Sequence, residues 1–255
     1  MRKFGLKIIF AMLFSLSLFS MCQKAVSPTA QKSRAVFILV DLSESTNKPE
    51  IRKRYIDTVN EVMQKLDFGD SIGIAAITEH SIYEPSTIAI HDFEPPKITS
   101  DNDLIVMQQK KKSIEELKNK KEEIIQTVKA RLADDSRKIL RTDVMSSLQV
   151  AEKYFDDKSR ANKYLLILSD MIEDSDRYNF EKENLTDNRI KEIIEKEKKE
   201  NRIPVLKGVD VWIVGPEAKD LKKYYAIQTF WLTYFKEAGI ELPKSHYGAL
   251  AVQIK

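Results

Sequence analysis

Three short polar clusters carry the residue types that can hold a hard cation: Asp41-Leu42-Ser43-Glu44-Ser45, Thr142-Asp143 and Ser169-Asp170. Alternate side chains of an extended segment point the same way, so Asp41, Ser43 and Ser45 can converge on one point. With Thr142 and Asp170 they make an all-oxygen set of three hydroxyls and two carboxylates. Such a set suits Mg²⁺ or Mn²⁺, which take oxygen ligands; Mg²⁺ in octahedral geometry usually keeps several waters. Each cluster alone also has a structural reading. Ser45, Thr46 or Asn47 can cap a helix beginning near Pro49, Thr142 can cap the helix that follows it, and Asp170 can cap whatever comes next. The order of the three clusters, each after a suitable element, favours the metal.

The elements that must position these residues alternate along the chain. Ala35 to Val40 is a continuous apolar, β-branched run ending at Asp41, as in a strand buried on both faces of a parallel sheet. Pro49 is a favoured first helical position. After it Ile51, Tyr55, Val59, Val62, Met63 and Leu66 recur at three- and four-residue steps. Gly69-Asp70 then turns the chain into a second strand over Ser71 to Thr78, and Thr87 to Asp92 is a weaker third. Leu104 to Leu132 is a long Lys/Glu-rich helix with Ile114, Leu117, Ile124, Val128 and Leu132 along one stripe, long enough to project beyond the core. A helix follows Thr142-Asp143, with Asp143 at its positive end, and Tyr164 to Leu168 is another buried strand stopping at Ser169-Asp170. Asp187 to Glu200 is a charged helix, Val209 to Val214 a strand, Ile227 to Ala238 a helix stopped at Gly239, and Ala249 to Ile254 a last strand. This alternation predicts an α/β fold, a doubly wound, mostly parallel sheet with helices on both faces. Ligands of such folds sit at the carboxyl ends of the strands, where all three clusters fall.

Asp-x-Ser-x-Ser after an apolar first strand, a later Thr, and a later Asp closing another apolar strand resemble the von Willebrand factor type A family, over most of residues 35–255. In that family the motif is the metal ion-dependent adhesion site on a Rossmann-like sheet. The resemblance implies that Ser43, Ser45 and Thr142 bind the ion through hydroxyls, that Asp41 and Asp170 act mostly through ordered water, and that an acidic residue of a protein partner completes the sphere. Neutral hydroxyls leave the cation under-compensated, so an incoming carboxylate gains a strong contact. One departure is that Leu140-Arg141 precedes the threonine where the family is often Gly-rich.

The chain start adds a location. A basic head, Met1 to Lys7, precedes an apolar run from Ile8 to Met21 that is too short to span a bilayer comfortably and has the pattern of a secretory signal. Cys22, the one cysteine, stands directly after it. Its position resembles the lipobox of bacterial lipoproteins, with Met21 and Phe19 departing from the usual residues; the alternative is an ordinary signal cleaved near Ala30. The expected organisation is a signal over 1–22 with lipidation at Cys22, a flexible tether over 23–34, and one domain over 35–255 with charged helical insertions near 104–133 and 173–201. Lipidation would attach the exported domain to a membrane of the cell envelope.

Composition narrows the functions. Without Arg2, Lys3 and Lys7 the basic and acidic residues balance at 39 each, which gives no nucleic-acid footprint. The lysine-rich stretches are interleaved or followed by glutamates, as on a solvated helix face. The expected function is a non-enzymatic binding module. A phosphatase-like hydrolase with Asp41 as nucleophile is the first rival, but that chemistry usually needs a second carboxylate two residues on, where Ser43 stands. A structural envelope lipoprotein with a vestigial site is the second. His80, His91 and His246 belong to no Gly-x-Ser-x-Gly hydrolase pattern, and no Gly-rich phosphate loop follows the first strand.

Overall fold

The computed structural model describes residues 33–82, 86–134, 139–158 and 161–254. The signal segment, Cys22 and the tether as far as residue 32 lie outside the described residues.

Five strands form one sheet: β1 (Arg34–Asp41), β2 (Ser71–Ile77), β3 (Ser86–Asp92), β4 (Asn162–Leu168) and β5 (Val209–Val214), in the order β3-β2-β1-β4-β5. All pairings are parallel except that of β3, which runs antiparallel along the β2 edge. Every residue of β1 and β2 is buried, which is why both segments are continuous apolar runs rather than alternating ones. Helices α1 (Pro49–Lys65) and α2 (Asp103–Ala133) cover one face, packing on Val36, Ile38 and Val40. Helices α3 (Val144–Asp156), α4 (Asp187–Lys199) and α5 (Leu221–Glu237) cover the other, packing on Ala35, Phe37 and Leu39. This is the doubly wound α/β architecture the sequence predicts. At the amino end of β1, Arg34 donates to Asp70 through Nε at 3.0 Å and Nη2 at 2.6 Å, clamping the starts of β1 and β2 together.

From β1 the chain winds outward to β2 and β3, and then returns to build β4 and β5 on the other side of β1. β1 and β4 are therefore neighbours whose connections leave in opposite directions. The carboxyl ends of such a pair open a crevice between the departing loops. Val40 pairs with Leu168, so Asp41 and Ser169 leave the sheet abreast.

Three expectations differ. Ile114 continues the apolar stripe of α2 yet is 60% exposed, whereas Ile124, Val128 and Leu132 are buried. The helix is about 46 Å long and a seven-residue strand about 23 Å, so the first half of α2 overhangs the sheet. The stretch Ala249 to Ile254 is not a strand. Tyr247 makes a single bridge to Ile213, and Gly248, at a φ of +83° that favours glycine, turns the chain off the β5 edge. Ala249, Val252 and Ile254 are still buried, so the sequence pattern marked burial and not a ladder. Finally, α1 has no side-chain cap: its N-cap position is Lys48.

Candidate metal centre

The strand ends carry the polar clusters into the crevice between β1 and β4. Asp41, the last residue of β1, is 1% exposed and has both carboxylate oxygens engaged: Oδ1 accepts from the Ser43 backbone N–H at 2.9 Å and Oδ2 from the Ser169 hydroxyl at 2.7 Å. The chain then makes one 3-10 turn over Glu44–Thr46. The Thr46 hydroxyl holds that turn down, lying 3.0 Å from the carbonyl oxygens of both Asp41 and Ser43. A threonine expected to cap α1 instead fixes the loop against its own strand. The turn brings the Ser43 and Ser45 hydroxyls to 3.0 Å from each other, with Ser43 buried and Ser45 open to solvent.

Asp170 is 5% exposed, and its Oδ1 accepts from the Ile172 backbone N–H at 2.9 Å. The nearby Ser45 hydroxyl lowers its pKa, as that of Ser43 lowers the pKa of Asp41. Hydrogen bonds join Ser169 to Asp41, Asp41 to the Ser43 backbone, and the Ser43 hydroxyl to that of Ser45. No helix starts after Asp170, so it caps none.

Thr142 is buried, and its link to the other four is through backbone. Glu44 N–H donates to the Ile139 carbonyl at 3.1 Å, pairing Ser43 with Ile139, while Thr142 and Asp174 exchange two backbone hydrogen bonds of 2.9 Å. The loop 139–143 is thereby held beside the Ser43 turn. The cap of α3 is Asp143, which accepts from the Ser146 N–H, and not Thr142. The guanidinium of Arg141 is paired with Asp176 and lies 4.0 Å from Asp174, so its charge is committed to those two acids.

Several supporting groups carry no sequence signal of their own. Ser169 is fully buried and bridges the two strands by donating to Asp41 while accepting from the Met171 N–H at 2.9 Å. Met171 has a φ of +64°, a left-handed conformation costing a non-glycine residue about 1–2 kcal/mol. The indole N–H of Trp231 on α5 donates to its carbonyl at 2.8 Å and holds that bend. Beneath the site the buried Tyr55 hydroxyl has no hydrogen-bond partner among the described residues. Gly215 passes close to it at a φ of +94°, which favours glycine, and a Cβ there would lie a tight 3.1 Å from the Tyr55 ring. Glu173 is fully buried and accepts from the Met145 N–H, and burial pushes its carboxyl well above the ordinary range.

The electrostatics favour a cation. Burial raises the pKa of Asp41, and its hydrogen bonds to Ser43 and Ser169 only partly oppose that. Burial, and then the neighbouring Asp41 charge, push Asp170 up to about 7. No cationic side chain is among the causes acting on either group. Two buried carboxyl groups beside the Ser43, Ser45 and Ser169 hydroxyls are an all-oxygen donor set that fits a hard divalent ion. The set is not an acid or histidine cage: among the described residues no three or more His, Cys, Asp and Glu side chains gather as a metal site.

No family model and no curated protein matches the chain. Solved structures similar to it include proximal thread matrix protein 1 from the mussel byssus with a zinc-occupied MIDAS motif, at 14% identity and TM-score 0.43, covering 82% of this chain and 46% of that one. The VWA domain of SpRpn10 is similar at 12% identity and TM-score 0.38, covering 86% and 88% of the two chains. Manganese-loaded Plasmodium vivax TRAP protein is similar at 12% identity and TM-score 0.39, covering 76% and 61%. The chain spans less than half the length of the mussel protein.

The raised pKa of Asp170 has a measurable consequence in metal-free protein. Its native proton is held to about pH 7, whereas the unfolded carboxyl loses its own near pH 3.8. Native stability therefore falls as pH rises between those values and is level above them. Asp170→Asn removes the penalty. In EDTA at pH 8 the variant is expected to be more stable than wild type by on the order of 2 kcal/mol, with the gap closing toward pH 4. Urea unfolding at the two pH values measures it, and a variant less stable at pH 8 would contradict the charge assignment.

Proposed function

We propose that the chain is an exported, membrane-tethered binding module that engages a protein partner through a divalent ion held by Asp41, Ser43, Ser45, Thr142 and Asp170. The observation that carries this reading is the buried Asp41–Asp170 pair, without a cation of its own, at the carboxyl ends of β1 and β4 and fringed by the Ser43 and Ser45 hydroxyls. Ser43, Ser45 and Thr142 would contact the ion, while Asp41 and Asp170 would hold its waters and balance part of its charge. The ion would then supply one thing, an open coordination position for a carboxylate of the partner. Ser45 is the solvent-facing member of the set, which suits entry from outside.

Binding fits better than hydrolysis. Both oxygens of Asp41 accept hydrogen bonds at 2.9 and 2.7 Å, and the residue is 1% exposed. A nucleophilic carboxylate must be reached by its substrate, which burial of Asp41 opposes. Asp41 has the surroundings of a fixed charge.

The tether reading rests on the apolar leader and Cys22. Expressed in a bacterium with its own leader, the wild-type chain is expected in the membrane fraction carrying acyl groups by mass, and Cys22→Ser in the soluble exported fraction. Equal partition of the two would remove lipidation from the account.

Calorimetric titration of the chain with Mg²⁺ and with Mn²⁺, with acetate present as the carboxylate, tests the site. Wild type is expected to bind one ion and to gain thermal stability, since an ion at a hundredfold over its dissociation constant contributes about 2.7 kcal/mol. Ser43→Ala is expected to weaken binding by tenfold or more, and Asp170→Ala to abolish it. Absence of any heat or thermal shift in the wild type would overturn the proposal.

A further inference from the structure

Leu140 stands at the rim of the site and is 62% exposed. An exposed leucine is ordinary by itself. What sets this one apart is how firmly its backbone is held. On one side Ile139 is bridged to Ser43, with its carbonyl accepting from the Glu44 N–H at 3.1 Å. Leu140's own N–H donates to a Glu79 carboxylate oxygen at 3.0 Å. On the other side Arg141 is paired with Asp176, and Thr142 exchanges two 2.9 Å backbone bonds with Asp174. A loop whose backbone is tied at Ile139, Leu140 and Thr142 presents its apolar side chain to water from a fixed backbone position. The backbone then has little freedom to lose when something covers the side chain.

The placement relative to the ion site is also defined. Neighbouring strands lie about 4.8 Å apart and consecutive Cα atoms 3.8 Å, so Leu140 starts within roughly 8 Å of Ser43. The rim is asymmetric. Leu140 lies toward β2, where its loop meets Thr78 and Glu79, since the Asp143 N–H donates to the Thr78 carbonyl at 3.0 Å. The other rim, after β5, is polar: the Glu217 N–H donates to the Asp170 carbonyl at 3.2 Å, and its half-exposed carboxylate is paired with Lys48. Glu217 and Arg141 at the mouth are neutralised in pairs, Glu44 and Ser45 are exposed polar groups on the turn itself, and Leu140 is the exposed apolar side chain of the loop beside them.

We infer that Leu140 is a specificity-determining contact and that the segment recognised by the ion is an exposed acidic peptide with an apolar side chain one or two residues from its metal-binding Asp or Glu. The carboxylate is what the cation selects, and the apolar residue is what Leu140 adds. The spacing follows from about 3.3 Å per residue in an extended peptide against the reach from Ser43 to Leu140. This rests on the metal-dependent binding reading above.

A displayed peptide library with one fixed Asp between randomised flanks, selected on the purified full-length chain in Mg²⁺ and eluted with EDTA, tests it. On wild type, leucine, isoleucine, valine, methionine and phenylalanine are expected to be enriched one or two positions from the Asp. On Leu140→Ser that enrichment is expected to vanish while EDTA-reversible selection of the Asp persists. The best wild-type peptide is expected to lose about tenfold in affinity for Leu140→Ser, as for one apolar side chain left partly uncovered, and to bind Leu140→Met nearly as well as wild type. EDTA-reversible selection with no apolar preference, or with the same preference on Leu140→Ser, overturns this inference alone. Selection that EDTA does not reverse overturns the metal reading and this inference with it.

Discussion

Two carboxyl groups buried together out of water are the constraint around which the carboxyl end of this sheet is organised. Parallel pairing of β1 with β4 sets Asp41 beside Ser169, with Asp170 one residue further on, and neither carboxyl has an ion pair among the described residues. In a low-dielectric setting that arrangement is costly, and hydrogen bonds from Ser43, Ser169 and the Ile172 N–H, with the nearby Ser45 hydroxyl, offset only part of it. Protonation of Asp170 relieves part of that cost below about pH 7, and a bound divalent ion would relieve it above.

The remainder of the fold makes this edge rigid. The Thr46 hydroxyl pins the turn carrying Ser43 and Ser45 to the end of β1. The left-handed bend at Met171, just past Asp170, is held by the Trp231 indole, so the aromatic face of α5 reaches the site through one hydrogen bond. Gly215 lets the loop after β5 close over Tyr55. Floor and walls therefore come from β1, β4, β5, α1 and α5, and only the mouth, with Ser45 and Leu140, is left to solvent. An ion sphere requires such fixity, because hydroxyl ligands contribute little attraction and must be in place beforehand.

Much of this was legible in the sequence, for identifiable reasons. Strands buried on both faces leave unbroken apolar runs, so β1, β2, β4 and β5 stand out, and the clusters behind them mark the crevice. Periodicity failed where burial and pairing part company. Ile114 keeps the helical spacing of α2 but has no sheet beneath it, and Ala249 to Ile254 alternates without pairing because Gly248 turns it away. Serine and threonine functions were legible as types and not as partners. Thr46 matched a helix cap yet bonds backwards to β1, and Ser169 stood next to Asp170 with nothing to mark its bond to Asp41 across the strand pair. Leu140 and Arg141 departed from a pattern, and only the Leu140 N–H bond to Glu79 and the Arg141–Asp176 ion pair give that departure a meaning.

The most direct measurement of the central claim is a manganese anomalous difference map from crystals of the chain grown or soaked in Mn²⁺. A single strong peak within ligand distance of the Ser43 and Ser45 hydroxyls, with Asp41 and Asp170 around it, is the predicted result. Ordered density for these residues with no peak between them, or a peak held by other residues alone, would contradict it.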